Sequence, residues 1–212
     1  MQLARVVDIN SHEFEQCMDI LREAISPETQ LPPERLRNLL AGGRYQFFSY
    51  RNVDEVVGTA LVYFPVRLPF AWLDYFVIHS DMRGRGLGSD LFREIARLSS
   101  EQSPRLEWLL FEVDDGRDGD AERQATSERR IAFYRRLGAR LLQNVSYKFP
   151  SAFGEPLPMR LMAYSLQQNA TLSPDMLRRA VADVFTHVHG RNVDDPLLQW
   201  FSAALPKEIK AV

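Results

Sequence analysis

The chain has 212 residues, is 45% hydrophobic, carries a formal net charge of −2 and contains one cysteine, Cys17. This length and hydrophobic content suffice for one core with a single appendage, and the slightly acidic balance argues against a globally basic protein that binds nucleic acid. A lone cysteine forms no intramolecular disulfide, and the sequence shows neither a signal-peptide pattern at residues 1–10 nor an apolar run long enough to span a bilayer. We therefore expect a cytoplasmic protein without membrane association.

Hydrophobic spacing and turn residues predict the secondary structure in chain order. The predicted elements begin with a strand (4–9), two helices and three strands (45–50, 56–63 and 71–78), of which the first two flank a polar turn at 52–54. A helix ending near residue 99, a strand (106–113), a polar loop (114–127) and a helix (127–137) follow. The chain ends with two predicted strands (141–149 and 159–166) and two predicted helices (174–187 and 196–205). This order predicts a mixed α/β sheet with helices on both faces.

Several element boundaries carry local signals. Asn10 followed by Glu13 resembles a capping box, and Pro32 and Pro33 suit the first turn of the second helix. Ser127 is suited to cap the helix at 127–137, and Gly138 is suited to end it in the left-handed conformation. We expect these residues to mark the helix ends.

A segment rich in glycine and arginine, Arg83-Gly84-Arg85-Gly86-Leu87-Gly88-Ser89, lies between the predicted strand at 71–78 and the following helix. Glycine permits a tight turn and a close approach of ligand to backbone, and the first amides of a helix lack intrahelical partners and favour anions. The segment therefore predicts a site for a phosphate-rich ligand. A solvated basic turn is the structural alternative. A Rossmann site normally comes first in a βαβ unit, and the Lys-Ser/Thr ending of a P-loop is missing here, so both of those nucleotide sites are less favoured.

A second segment, Phe133-Tyr134-Arg135-Arg136-Leu137-Gly138-Ala139, follows one predicted strand later. Together the two segments resemble the GCN5-related N-acetyltransferase (GNAT) superfamily. Residues 83–88 fit its R/Q-x-x-G-x-G/A acetyl-CoA motif, and residues 133–139 are similar to its F/L-Y-x-x-x-G-F/A segment. The resemblance extends over residues 4–166 by element order.

The resemblance implies a fold and a division of the chain. It implies a central, mostly antiparallel sheet that splays at an acetyl-CoA slot between the strands at 71–78 and 106–113, with helices on both faces. We expect residues 1–168 to form the acetyltransferase domain. Residues 169–212 would add extra helices that pack on this domain or take part in a homodimer contact.

The resemblance also implies acetyl-CoA as co-substrate, with its pyrophosphate held by the glycine segment and its pantetheine arm paired to the preceding strand. At positions where the family often has asparagine and a small residue, this chain has Ser127 and Arg130. The residues expected to contact the cofactor are Phe76, Val77, Ile78, Arg83, Gly84, Arg85, Gly86, Leu87, Gly88, Ser89, Ser127, Arg130 and Phe133.

Acetyl transfer to an amine requires a base and an acid. A lysine-like amine has a pKa of about 10.4, so only about one molecule in 10³ is the neutral nucleophile at pH 7. Glu112 is the first candidate for the base, with Asp114 and Asp115 behind it. Tyr134 matches the family tyrosine that protonates the departing thiolate. Structural alternatives remain open for both, namely a packed aromatic for Tyr134 and a strand-end or arginine-paired carboxylate for Glu112.

Three functions are compatible with these motifs. The leading one is N-acetylation of a small primary amine. The second is acetylation of a peptide or protein, to which an acidic rim at residues 114–120 could attract lysine-rich tails. The third is a non-catalytic acyl-CoA-binding or interaction domain. We expect no metal site, because His187 and His189 alone supply too few ligands.

Overall fold

The computed structural model describes residues 1–53, 55–117, 119–151, 154–168 and 170–212. Its strands are β1 (Gln2–Val6), β2 (Tyr45–Asn52), β3 (Glu55–Tyr63), β4 (Phe70–Ile78), β5 (Trp108–Asp114), β6 (Arg140–Leu141), β7 (Tyr147–Phe149) and β8 (Leu157–Ser165). Its α-helices are α1 (His12–Ala24), α2 (Pro33–Ala41), α3 (Leu87–Gln102), α4 (Ala121–Arg136), α5 (Pro174–His187) and α6 (Pro196–Ala204), with short 3-10 turns at Pro27–Thr29 and Ser80–Met82.

The strands form one sheet in the order β1-β2-β3-β4-β5-β8-β6, and β7 also pairs with β8. Neighbouring strands run antiparallel except β4 and β5, which are parallel. Because α3 connects this parallel pair, it crosses one face of the sheet. The predicted fold class is thus confirmed, with a mixed and mostly antiparallel sheet.

Alternating strand residues divide the core between the two faces of the sheet. Phe47 and Trp72 point to the side covered by α1, α2, α5 and α6, which we call the α1 face. Phe48 and Leu73 point to the side covered by α3 and α4, which we call the α3 face. Helices therefore lie on both faces, as predicted.

The helices after residue 170 are part of the core of the α1 face. Leu177, Val181 and Phe185 of α5 are fully buried there, together with Phe201 of α6. The Tyr63 hydroxyl of β3 donates a hydrogen bond of 2.7 Å to Asp183 of α5. Residues 210–212 run along residues 141–143, with hydrogen bonds that include one of 2.7 Å from the Leu141 amide to the Val212 carbonyl.

Several predicted boundaries were wrong. The first strand spans Gln2–Val6 rather than 4–9, and the cap of α1 is Ser11, whose hydroxyl accepts from the Phe14 amide. The predicted strand at 141–149 is two short strands, β6 and β7. The predicted turn at 52–54 ends at Asp54, which lies outside the described residues.

The largest error concerns α4. This helix begins at Ala121 behind the cap residue Asp120, so Ser127 lies inside the helix and is not its cap. Half of the predicted loop at 114–127 is therefore helical. The predicted end of the helix is confirmed, since Gly138 has φ of +96° directly after the cap residue Leu137.

Candidate active site

The sheet opens between β4 and β5. Their parallel pairing runs from Phe70 opposite Trp108 to Leu73 opposite Phe111 and stops there, although both strands continue. Beyond Leu73 the β5-facing edge of β4 has no strand partner among the described residues. A cavity of about 660 Å³ lies in the opening and is lined by β4, β5, α4 and the start of α3. The open edge can accept an extended ligand by strand-like hydrogen bonding.

A β-bulge lies in β4 at the point where the two strands part. Opposite β3, Leu73 pairs with Val62 and Tyr75 pairs with Leu61, so Asp74 is the extra residue. Trp72 and Tyr75 both belong to the core of the α1 face, and the Asp74 carboxylate accepts a hydrogen bond from Tyr45 of that face. The bulge therefore directs Asp74 and Tyr75 to the α1 face at the mouth of the opening.

The glycine-rich segment forms one end of the cavity. Gly84 and Gly86 have φ of +77° and +82°, a conformation that L side chains rarely adopt. Gly86 is the cap residue of α3 and provides no side-chain hydrogen bond, so the first amides of α3 are open to a ligand. The backbone therefore forms a cradle suited to phosphate groups at a helix N-terminus.

Most of the residues predicted to bind the cofactor line this cavity. Arg83 donates from Nε to the Ile78 carbonyl at 3.2 Å and so holds the end of β4. Arg130 lines the cavity without a hydrogen bond or ion pair to a described residue. The predicted residues in the lining are Phe76, Val77, Ile78, Arg83, Gly84, Gly86, Leu87, Gly88, Ser89, Arg130 and Phe133.

Two of the predicted cofactor residues, Arg85 and Ser127, do not line the cavity. Ser127 is 2% exposed, and its hydroxyl donates to the carbonyls of Asp114 and Asp115. Its side chain therefore joins α4 to the end of β5.

Tyr134 lies on the α3 face of the opening, in a group of aromatic rings. Its ring centroid is 4.5 Å from that of Phe111, 5.0 Å from Phe133 and 5.5 Å from Phe92. Burial raises the pKa of Tyr134 to about 12, although the charge of Arg130 opposes this shift. Tyr134 lines the cavity, and its hydroxyl makes no hydrogen bond to a described residue and stays protonated at neutral pH. Tyr134 is thus available as a proton donor.

Glu112 and Asp74 border the cavity on the α1 face. Burial, and next the negative charge of Asp74, raise the pKa of Glu112 to about 8. Burial raises the pKa of Asp74 to about 6, and the hydrogen bond from Tyr45 limits the rise. At pH 7 Asp74 is therefore mostly ionised and Glu112 mostly protonated, so the two carboxyl groups together carry about one negative charge.

The Glu112 carboxyl group has an unused hydrogen-bonding position. Oε2 is buried and has no hydrogen-bond partner among the described residues, and the same holds for the hydroxyl of Tyr147. Tyr147 lies close enough to lower the pKa of Glu112, but the two groups do not meet hydrogen-bond geometry. Unpartnered buried polar groups are rare and often mark functional positions.

The two other carboxylates predicted as candidate bases are held by arginines. Asp114 accepts two hydrogen bonds of 2.8 and 2.9 Å from Arg123, which holds the pKa of Asp114 below its usual value. Asp115 accepts two from Arg117, at 2.6 and 2.7 Å. The Arg123–Asp114 pair joins α4 to β5, the Arg117–Asp115 pair lies within the loop between them, and neither carboxylate lines the cavity. In the predicted acidic rim at 114–120, Asp118 lies outside the described residues.

The sequence profile of the acetyltransferase (GNAT) family matches residues 14–139, more than half of the chain. The chain belongs to this family. It is 28% identical over 121 residues to a Bacillus subtilis (strain 168) protein assigned as an acetyltransferase, YjbC. That alignment covers 57% of this chain and 56% of the relative, so the match extends over about half of the relative's length.

Solved structures of acetyltransferases share the fold. A GNAT-family protein from Bacteroides thetaiotaomicron superposes with a TM-score of 0.70 at 19% identity, covering 91% of this chain and 100% of that one. The ribosomal-protein-S18-alanine N-acetyltransferase of Escherichia coli superposes with a TM-score of 0.56 at 16% identity, covering 81% and 99%. An aminoglycoside 6′-N-acetyltransferase complexed with coenzyme A gives 0.57 at 18% identity, covering 81% and 100%. At these identities the likeness concerns the fold alone.

Residues of the α1 face complete the GNAT cleft. The Tyr75 hydroxyl accepts from the Leu31 amide and donates to the Thr29 carbonyl, both at 2.8 Å. The Ser151 hydroxyl donates to the Glu28 carbonyl at 3.0 Å. These bonds hold the 3-10 turn at Pro27–Thr29 against β4 and against the segment after β7. The α1 side of the cleft is therefore partly covered.

Asp74 and Tyr75 line the cleft and were not identified by the sequence motifs. One signal was present, since Asp74 is the one charged residue in an otherwise apolar or aromatic strand, Phe70–Ile78. A carboxylate in such a strand is rarely buried without a reason.

Among the described residues, no three or more His, Cys, Asp or Glu side chains are grouped so that they could hold a metal ion. In the same part of the chain, no helix is long and apolar enough to cross a membrane.

Proposed function

We propose that this protein is an acetyl-CoA-dependent N-acetyltransferase that acts on a primary amine of a small molecule. The observation that carries the proposal is the cleft between β4 and β5. It joins an anion cradle, an open strand edge, a protonated tyrosine on the α3 face and an ionised carboxylate on the α1 face.

The donor fits the shape and chemistry of the cleft. The cradle at residues 84–89 would bind the pyrophosphate through backbone amides at the start of α3. The open edge of β4 at residues 76–78 would hold the pantetheine arm by backbone hydrogen bonds, and the acetyl group would then lie between the two faces. Arg130, which has no ion pair with a described residue, would add charge on the α4 side.

The carboxyl groups of the α1 face would bind and deprotonate the acceptor. A primary amine enters mainly as ammonium, and the single negative charge shared by Asp74 and Glu112 favours this cation. Asp74 takes one proton from the ammonium, since its carboxylate is the ionised member of the pair. Glu112, mostly neutral at pH 7, would assist as a hydrogen-bond partner through Oε2. This assigns the first proton transfer to Asp74 rather than to Glu112, the candidate that the sequence favoured.

The remaining steps balance as an acyl transfer. The neutral amine attacks the thioester carbonyl, a C–N bond forms and the C–S bond breaks. Backbone amides of residues 76–78 would stabilise the oxyanion, and Tyr134 would protonate the departing thiolate. The second proton lost by nitrogen restores Tyr134, and the proton on Asp74 passes to solvent.

The covered α1 side supports a small acceptor over a peptide. The turn at Pro27–Thr29 and the segment at Ser151 are joined across this side by the Ser151 hydrogen bond to Glu28. Asp114 and Asp115, which the peptide hypothesis used as an acidic rim, are neutralised by Arg123 and Arg117. The fold itself does not choose, because its relatives include an aminoglycoside acetyltransferase and a ribosomal-protein acetyltransferase.

A screen of amine and peptide acceptors that follows the release of CoA thiol tests this proposal. We expect turnover with small primary amines and little with lysine-containing or N-terminal peptides. Turnover restricted to peptides would favour the protein acceptor. Tight CoA binding without turnover on any acceptor would favour the non-catalytic domain.

A further inference from the structure

A second cavity lies at the other end of β4 and β5, where the two strands begin. It has a volume of about 550 Å³. Its walls are the segment before β2, the loop at 64–69 between β3 and β4, and the loop at 102–107 between α3 and β5. We call it the basal cavity. It shares no lining residue with the cleft of the proposed acetyl transfer.

Three arginines surround the basal cavity, one from each wall: Arg44, Arg67 and Arg105. None of these guanidinium groups makes a hydrogen bond or ion pair with a described residue. Glu107 is the one carboxylate in the described lining, so the local charge is positive although the whole chain is slightly acidic. By contrast, the exposed Arg97 on the outer surface of α3 is bound by Glu94 and Glu101.

A buried polar side chain also lines the basal cavity. Gln46 of β2 is 5% exposed, and its side-chain amide has no hydrogen-bond partner among the described residues. Its neighbours Tyr45 and Phe47 point to the α1 face, so Gln46 points to the opposite side of the strand. The amide atoms themselves keep solvent contact in the cavity, where they offer a ligand one acceptor and one donor group that no described residue occupies.

The walls of the basal cavity are held by bonds between the loops. The Gln167 side-chain amide donates to the carbonyls of Pro104 and Leu106, at 2.7 and 3.2 Å. The Glu107 amide donates to the Pro69 carbonyl at 2.8 Å. A site that is already ordered does not lose conformational entropy of its loops when a ligand binds.

From these observations we infer that the basal cavity binds a small organic anion, with a phosphate or carboxylate head and an apolar body. The forked donors of the arginines match either head group. Gln46 would hydrogen-bond the ligand at the cavity floor. Phe64, Leu68 and Leu106 provide apolar wall surface for the body of the ligand.

Titration of the full-length ¹⁵N-labelled protein with phenyl phosphate at pH 8 tests this site, with benzoate as the carboxylate arm. We expect saturable shifts of the Gln46 side-chain amide and of residues 64–69 and 102–107. Residues 84–89 are followed as a separate site, because the cradle is also suited to phosphate and its shifts must be told apart from those of the basal cavity. A larger response to phenyl phosphate identifies a phosphate head, and a larger response to benzoate identifies a carboxylate head.

Charge variants test the assignment to residues. Arg67→Ala and Arg105→Ala should each weaken binding about 10-fold or more, because each removes a charge-assisted hydrogen bond. Glu107→Gln should tighten binding a few-fold, since it removes the repelling charge. Arg37→Ala, at an exposed arginine of α2 outside the cavity, is the matched control and should have no effect.

The proposal is overturned if neither probe binds saturably, if the shifts are confined to residues 84–89, or if the arginine variants bind as the parent does. Acetyl transfer is not part of this readout, so failure here leaves the proposed function untouched.

Discussion

Burial raises the pKa of the titratable groups on both sides of the cleft, but the resulting protonation states differ. On the α3 face, burial among Phe92, Phe111 and Phe133 raises the pKa of Tyr134 to about 12, which fixes it as a proton donor at neutral pH. On the α1 face, burial raises the pKa of Asp74 to about 6 and that of Glu112 to about 8. The same physical cause therefore gives a permanent acid on one side and an adjustable carboxyl pair on the other.

The largest expected effect is on the carboxyl side. Asp74→Asn removes the ionised proton acceptor but keeps the shape and the partner position of Tyr45. We predict a fall in kcat/KM of about 10²–10⁴-fold for the best amine, with CoA affinity changed less than about threefold. Steady-state kinetics and calorimetry with CoA measure the two quantities. Asp19→Asn, on the exposed surface of α1, is the control. Unchanged kinetics in Asp74→Asn would remove Asp74 from the reaction.

Substitution of Tyr134 should lower the reaction rate somewhat less than substitution of Asp74. Tyr134→Phe keeps the aromatic packing and removes the proton donor, so we predict a loss in kcat of about 10²-fold with little change in CoA affinity. Tyr50→Phe is a matched control, because Tyr50 is also buried but lies outside the cleft. Equal losses in both variants would indicate a packing effect rather than a role in proton transfer.

The third prediction concerns the cradle at residues 84–89, which would bind the acetyl-CoA donor. Gly86→Ala places a side chain at φ of +82°, a strain of about 1–2 kcal/mol, although a Cβ there meets no neighbouring atom. The free variant escapes this strain by relaxing the turn and CoA binding restores it, so we predict CoA binding about 5–30-fold weaker by calorimetry, with the melting temperature lowered only slightly. Gly154→Ala, at a position with open space and ordinary φ, should leave binding unchanged. Unaltered affinity in Gly86→Ala would contradict the cradle assignment.

The smallest expected effect is on stability, and its sign depends on pH. Because the pKa of Glu112 in the folded protein is raised to about 8 from an ordinary value near 4.5, the folded state binds more protons than the unfolded state between these values. Stability from this group is therefore lost as pH rises through that window.

We predict that Glu112→Gln is more stable than the parent at pH 9, by roughly 1 kcal/mol since the side chain borders an open cleft. The difference should vanish near pH 4. Thermal unfolding across this range measures it, and a variant that is less stable at pH 9 than at pH 4 relative to the parent would contradict the assignment.

Local patterns in the sequence predicted much of the fold and most of the donor site. The glycine segment and Tyr134 were found because a phosphate cradle and its neighbouring helix leave fixed local motifs. The start of α4 was missed because residues 121–126 are all exposed, so this part of the helix has no buried face that hydrophobic spacing could reveal. The signal that remained was Asp120, which caps the helix by accepting from the Arg123 amide.

The acceptor side was predicted least well, for a tertiary reason. Asp74 reaches the cleft because a bulge in β4 displaces it, and the register of β3 with β4 that creates the bulge is not visible in either strand alone. The pKa of Glu112 depends on Asp74 across the gap between two strands. The preference for Glu112 as the base rested on its position near the end of an apolar strand. That position does not determine whether the carboxyl group is protonated at neutral pH.

The dependence of kcat/KM on pH tests the central assignment most directly. With a small primary amine as acceptor, the parent should show activity rising as pH increases through about 6, where Asp74 ionises. Glu112→Gln should keep this inflection, and Asp74→Asn should lose it along with most of the rate. If Asp74→Asn keeps the inflection near pH 6 while Glu112→Gln abolishes it, the proton acceptor is Glu112 and the assignment to Asp74 is wrong.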